Sequence, residues 1–255
     1  MGACKQAETV SVAHAPAETM SIESSMAGYY AQRAAEYERI YQKPERQDDL
    51  RELRAYIQHA FAGAHLLEVA CGTGYWTEIA ARSAESVLAT DINEAVLAIA
   101  RSKPIDLRKV EFRQADAYAL PPLAGRFTSG LAAFWWSHVP KPRLRAFLRG
   151  FHACLSSRAR LVFIDNAYVE GSSTPISRAD TQGNTYQIRR LDDGSQHEVL
   201  KNFPTEADLR VALEGLAADV QIRFLRYYWI LSYRLPSRPG RPGWPRDSQV
   251  DCRGG

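Results

Sequence analysis

At 255 residues, 45% hydrophobic and 24% charged, the chain is long enough to bury the core of one large α/β domain, and a net charge of +3 without any basic block argues against nucleic acid as its main partner. Four scattered cysteines, Cys4, Cys71, Cys154 and Cys252, form no CxxC or Cys/His pair, so neither a disulfide framework nor a metal site is expected, and a reducing cytoplasm suits them. No stretch has the apolar length of a signal peptide or a bilayer span, which predicts a soluble protein without membrane contact.

Residues 1–23 are small and polar, and residues 236–255 are rich in Pro, Gly and Arg, so both ends are expected to be disordered around one domain at 24–235. That domain begins with two helical stretches, SSMAGYYAQRAAEYERIY (24–41) and RQDDLRELRAYIQHAF (46–61), the second with Leu50, Leu53, Ile57 and Phe61 at helical spacing. A βα rhythm follows: strand LLEVA and helix YWTEIAARS, strand SVLAT and helix NEAVLAIARS with Asn93 as N-cap, then strand VEFRQA. Strand FTSGLAAFW, helix KPRLRAFLRGFHACL and strand RLVFID complete five strands with helical crossovers, which imply a parallel, doubly wound sheet. The remainder reads as a hairpin about Asp193-Gly194, a capped helix TEADLRVALEGL and one long aromatic strand, DVQIRFLRYYWILSYRL.

In open α/β sheets ligands bind at the carboxyl ends of the strands. After the first strand stands Ala70-Cys71-Gly72-Thr73-Gly74, where glycine permits a tight turn and close backbone approach. A dinucleotide fingerprint needs another glycine three residues on; Thr77 stands there, so a pyrophosphate fits poorly. Asp91 ends the second strand about twenty residues beyond the turn, the spacing of an acid that accepts from a ribose diol. Asp116, after the third strand, is placed to accept from an exocyclic amine such as that of adenine. Two acids without a phosphate cradle describe an adenosine that carries something other than phosphate.

In LLEVACGTG, VLATDIN and FRQADAYALP, taken in that order, the chain resembles the class I S-adenosylmethionine-dependent methyltransferases. The resemblance implies a Rossmann-like, doubly wound α/β fold with a seven-stranded sheet, parallel except for an antiparallel C-terminal strand, and a helical lid at 24–62. It implies S-adenosylmethionine as cofactor. By position, Glu68 is expected to order the glycine loop and the methionine amine, with Ala70, Gly72, Thr73 and Gly74 forming the turn beside the amino-acid moiety. Asp91 takes the ribose hydroxyls, Ile92 lies on adenine, Asp116 accepts from its amine, and the Ala117 backbone meets a ring nitrogen. In the lid, Tyr29, Tyr30, Arg33 and Tyr37 share one helical side; Arg33 offers a guanidinium fork to the methionine carboxylate, and Tyr30 is a further cofactor contact. Trp76 is a candidate contact of the sulfonium.

The acceptor side is suggested by AFWWSHVP (133–140). Phe134 is expected to present an aromatic face to the sulfonium methyl, and Trp135 and Trp136 to stack on a planar acceptor, with no more than two of the three facing one pocket because strand residues alternate sides. His138 is the candidate base. Tyr29, Tyr37, Asn166 and Tyr168 are further candidate acceptor contacts. The sequence thus reads as a methyltransferase, monomeric or homodimeric, acting on an N or O atom of a small, planar heteroaromatic metabolite in bacterial secondary metabolism. The competing readings are an RNA methyltransferase using the basic tail and a non-catalytic cofactor-binding regulator.

Overall fold

The computed structural model describes residues 28–30, 33, 36–121, 123 and 125–237. The expected disordered ends lie almost wholly outside this set.

Seven strands form one sheet in the order β3-β2-β1-β4-β5-β10-β9. They are β1 (His65–Val69), β2 (Ser86–Asp91), β3 (Val110–Gln114), β4 (Phe127–Ala133), β5 (Leu155–Asn166), β9 (Ala218–Phe224) and β10 (Tyr228–Arg234). The first five are parallel; β10 runs antiparallel between β5 and β9. Alternation along β1 sends Leu66 and Leu67 into different cores. Leu66 packs beneath helices α1 (Gln47–Ala60), α2 (Tyr75–Ala81) and α3 (Glu94–Ser102), whereas Leu67 and Val69 face α4 (Leu144–Ala153) and α5 (Glu206–Leu213). The strand order reverses between β1 and β4, and a crevice opens there at their carboxyl ends.

Four expectations change in detail. The first helical stretch does not run on as one α-helix: Gly28–Tyr30 and Arg33 are helical, Glu36 N–H then bonds the Arg33 carbonyl at 2.8 Å, and Tyr37–Gln42 is a 3-10 helix. Pro44, without an N–H, opens a second short 3-10 turn and blocks continuation into α1. No helix joins β3 to β4 among the described residues. The long terminal strand folds back on itself, closed by Leu225 N–H to the Tyr228 carbonyl at 2.8 Å, so it supplies both β9 and β10. The hairpin of β7 (Thr185–Arg190) and β8 (Gln196–Leu200), turning at Gly194 with φ 86°, gains a two-residue third strand, β6 (Arg178–Ala179).

That small sheet is fastened over the crevice. Asn202 N–H donates to the Ser137 carbonyl at 2.8 Å, and Tyr29 packs with Tyr186, Leu191, Val199 and Leu200 in a separate buried cluster. Among the described residues no helix is long and apolar enough to cross a membrane.

The small-residue strand β4 is needed for close packing at its centre. A Cβ on Gly130 would lie 2.8 Å from Phe151 Cζ and 3.1 Å from Leu155 Cδ1, both on buried side chains. Gly130→Ala is therefore expected to destabilise the protein by about 1–3 kcal/mol, read from the urea denaturation midpoint at unchanged m-value.

Candidate active site

A cleft of about 970 Å³, open on one side, occupies the crevice. Its floor is the loop after β1. Ala70, Gly72 and Gly74 all have positive φ (53°, 55° and 75°), and Gly74 N–H closes the turn on the Cys71 carbonyl at 3.0 Å. A side chain at Gly72 would meet the Tyr37 ring, with its Cβ 3.9 Å from Cε1, besides being strained at that φ. Gly74 has a different reason: its Cβ would lie 2.9 Å from Ala100 Cβ, so it lets α2 start against α3.

Asp91 ties this loop to the end of β2. Its Oδ2 accepts from Gly72 N–H and its Oδ1 from Asn93 N–H, both at 2.9 Å. Burial raises the carboxyl pKa, and those backbone donors oppose the shift. Each oxygen keeps a lone pair, so two vicinal hydroxyls can still donate to it. Asp116 lines the cleft further along, its Oδ1 accepting Tyr118 N–H at 2.8 Å, and Ile92 and Ala117 give the space between the two acids apolar walls.

Glu68 lies beneath the loop, fully buried, and neither carboxylate oxygen has a hydrogen-bond partner. Alternation places it on the Leu66 side of β1. Burial raises its pKa to about 8, with the neighbouring Thr77 hydroxyl opposing the shift and the Asp91 carboxylate adding to it. An unpartnered acid there is a feature of a ligand site more than of a core.

The opposite wall is aromatic. Tyr30, Tyr37, Phe134, Trp135 and His138 all reach the cleft. Phe134 stands at φ 60°, an uncommon conformation for a bulky residue, with its N–H bonded to the Ile164 carbonyl at 2.7 Å. His138 Nδ1 lies 2.7 Å from the Leu200 carbonyl, which can only accept; that fixes the proton on Nδ1 and leaves Nε2 to accept the Tyr30 hydroxyl at 2.8 Å. Burial, then the nearby Lys201 ammonium, holds the imidazole well below its usual pKa. His138 is therefore neutral near pH 7, and its free nitrogen holds Tyr30.

Other expected site residues lie elsewhere. Trp76 is buried in the core, stacked at 5.9 Å on Phe134, with Nε1–H donating to the Tyr41 hydroxyl at 3.1 Å. Trp136 turns into the opposite core against Phe163 and Trp229, because the chain enters a 3-10 turn at that residue. Thr73 is buried and donates to Glu38 Oε1 at 2.6 Å. Tyr29 packs on the small sheet, and Tyr168 is exposed beside Phe203. Arg33 and Asn166 line a second cleft, of about 670 Å³. Asn93, Val96, Ala115, Tyr118 and Ala133 join the first cleft without having been named as site residues; Ala115 follows β3, Ala133 ends β4, and Asn93 and Val96 open a helix after β2, which was the available signal, whereas Tyr118 carried none.

The first cleft fits an adenosyl sulfonium. Two acids separated by apolar walls, a loop kept free of side chains at Gly72, and an orphaned buried acid below it match a ribose, a purine and an amino acid. A family model described as a methyltransferase domain matches residues 66–158, the segment from β1 to the start of β5. Among solved structures, DhpI in complex with SAH is 26% identical, with TM-score 0.68 over 85% of this chain and 98% of that one. The DhpI–SAM–HEP complex is 25% identical, with TM-score 0.66 over 84% and 97%. The [4+2]-cyclase SpnF shares the fold at 18% identity and TM-score 0.53, over 75% and 81%. No curated protein sequence matches the chain.

The fold and the cleft define a class I methyltransferase. Residues 66–158 carry a methyltransferase domain, the chain is an S-adenosylmethionine-dependent methyltransferase, and S-adenosylmethionine is its cofactor.

Because the folded state raises the Glu68 pKa to about 8, from 4.5, it binds a proton that the unfolded state has already lost between those values. Stability from this group is complete below the unfolded pKa and is lost as pH rises through the folded one. In the ligand-free protein, Glu68→Gln should thus grow more stable relative to wild type by up to about 1.4 kcal/mol per pH unit between pH 5 and 8, measured by denaturation at each pH.

Proposed function

We propose that the protein transfers the methyl group of S-adenosylmethionine to an N or O atom of a small metabolite, which enters beside Tyr30, Tyr37 and His138. The observation that carries this reading is the Asp91 carboxylate, bound through both oxygens to the two loops that form the cleft floor and open toward the cleft. The cofactor, when bound, supplies an already activated sulfonium methyl to a nucleophile in line with it. The chain's task is then alignment and exclusion of water.

Asp91 and Asp116 hold the two ends of the nucleoside, and Phe134 offers a ring face near the methionine end, where it contacts Tyr41 and Tyr228. Tyr37 covers Gly72 from the lid. Tyr30 keeps its proton, since burial raises its pKa well above the ordinary phenol value, and its O–H points to His138 Nε2. The phenol oxygen is thereby left as an acceptor toward the cleft. His138 orients Tyr30 in this arrangement and does not serve as a free base. A planar heteroaromatic acceptor keeps support from Trp135 alone, whose ring lies 5.7 Å from that of Tyr118; Trp136 is committed to the core.

Isothermal titration with SAH tests the assignment: wild type should bind, and Asp91→Ala should lose about tenfold or more in affinity. Wild-type affinity in that variant would remove the ribose assignment. Incubation with isotopically labelled S-adenosylmethionine and a metabolite extract, followed by mass spectrometry, should yield a labelled small molecule; label only in RNA would select the other enzyme class. With the labelled acceptor in hand, Tyr30→Phe and His138→Ala should each lower kcat, and the double variant should cost no more than the worse single one. Neither group titrates near neutrality, so both leave kcat/KM flat from about pH 6 to 8.

A further inference from the structure

The second cleft adjoins the first and differs from it in charge. It is lined by Arg33, Arg46 and Arg189, with Lys201 at its inner end and Arg39 and Lys43 toward its rim. Two of these cations are neutralised: Lys201 by Asp165 Oδ1 at 2.9 Å, and Arg39 by Asp192 at 2.6 Å. The three inner guanidiniums have no carboxylate partner among the described residues. Arg46 is only 5% exposed; it donates to Ser172 Oγ at 3.2 Å and, at 3.4 Å, to Asn166 Oδ1, while its Nε–H has no partner. Arg189 donates to Thr174 Oγ1 at 2.9 Å and Gln187 Oε1 at 2.6 Å, both neutral. Burial lowers the Arg189 pKa, with Arg33 and Arg46 adding to the shift. Three like charges gathered in a partly closed space are unfavourable without a counter-charge.

We infer that the second cleft holds the anionic group of the methyl acceptor, a carboxylate or phosphoryl oxyanion, between the guanidiniums of Arg33, Arg46 and Arg189. This rests on the methyl-transfer reading above and names the acceptor class. Guanidinium forks suit either oxyanion, and the Ser172 and Thr174 hydroxyls already take part in positioning them. The two clefts share a wall: the Arg33 guanidinium lies 5.4 Å over the Tyr37 ring, and Tyr37 lines the first cleft. At the other end Lys201 donates to Ser137 Oγ at 2.6 Å, one residue from His138. An anion held here therefore places the rest of a small acceptor beside Tyr30 and the cofactor's methyl.

The test uses the full chain saturated with SAH and titrated with inorganic phosphate or, separately, acetate. Either anion should bind; phosphate alone points to a phosphoryl acceptor and acetate to a carboxylate. Arg189→Gln, on a half-buried side chain, should weaken the anion by roughly tenfold or more and leave SAH affinity within about twofold. Arg46→Lys, which keeps the charge but loses the fork, should weaken it less than Arg189→Gln if both fold. Binding of neither anion, or unchanged affinity in Arg189→Gln, overturns the inference. So does competition between phosphate and SAH with loss of SAH affinity in the variant, which would give the cleft to the cofactor's own carboxylate. A wild-type chain that binds no SAH defeats the methyl-transfer reading instead, and the same titrations on the unloaded chain then judge the anion site by itself.

Discussion

The site depends on one carboxylate bridging two loops. Asp91 accepts from Gly72 N–H and Asn93 N–H, and so fixes the turn after β1 to the end of β2, on one side of the crevice between β1 and β4. Charge-assisted bonds to backbone donors are stronger than neutral ones, and these two close within a partly buried space. A side chain at Gly72 would be strained at φ 55°, and α2 could not begin against α3 with one at Gly74. Strand pairing supplies the crevice; the bridge gives it a floor.

Charge then divides the crevice. The first cleft is lined by the carboxylates of Asp91 and Asp116, a setting that favours a cation. Across a wall of tyrosine rings lies a space with an excess of guanidinium, suited to the opposite sign. The rings of Tyr30 and Tyr37 stand between the two spaces without taking a charge themselves, since burial raises both phenol pKa values. The SpnF likeness makes a complementary point: a protein named as a [4+2]-cyclase shares this fold, so the sheet alone does not decide the chemistry.

Two of the four non-glycine residues at positive φ among the described residues lie at the cleft. Ala70 and Phe134 are non-glycine residues at positive φ, and both follow the central strands, β1 and β4, on either side of the crevice. Each conformation costs on the order of 1 kcal/mol and persists because neighbouring bonds over-determine it. For Phe134 the determinant is the bond to the Ile164 carbonyl, which holds the chain in the sheet's register for one residue beyond β4.

Much of the cofactor side was legible in the residues themselves. A strand, a glycine turn and a helix are encoded within seventeen positions, and an acid at the end of the next strand lies at a spacing set by the βαβ unit, so Gly72, Asp91, Ile92, Asp116 and Ala117 line one cleft. Local periodicity could not say which way a side chain turns once the strand ends. Trp76 and Trp136 went to the two cores, and one long aromatic stretch became two strands, because burial against distant helices and the pairing with β5 outweighed local pattern. The bond of Tyr30 to His138 spans 108 positions, and Arg46 meets Asn166 across 120. Local sequence therefore determined the motif that floors the first cleft. Only tertiary structure decided that a lid tyrosine occupies the histidine and that three unrelated arginines share one space, since those contacts exist only after the chain has closed on itself.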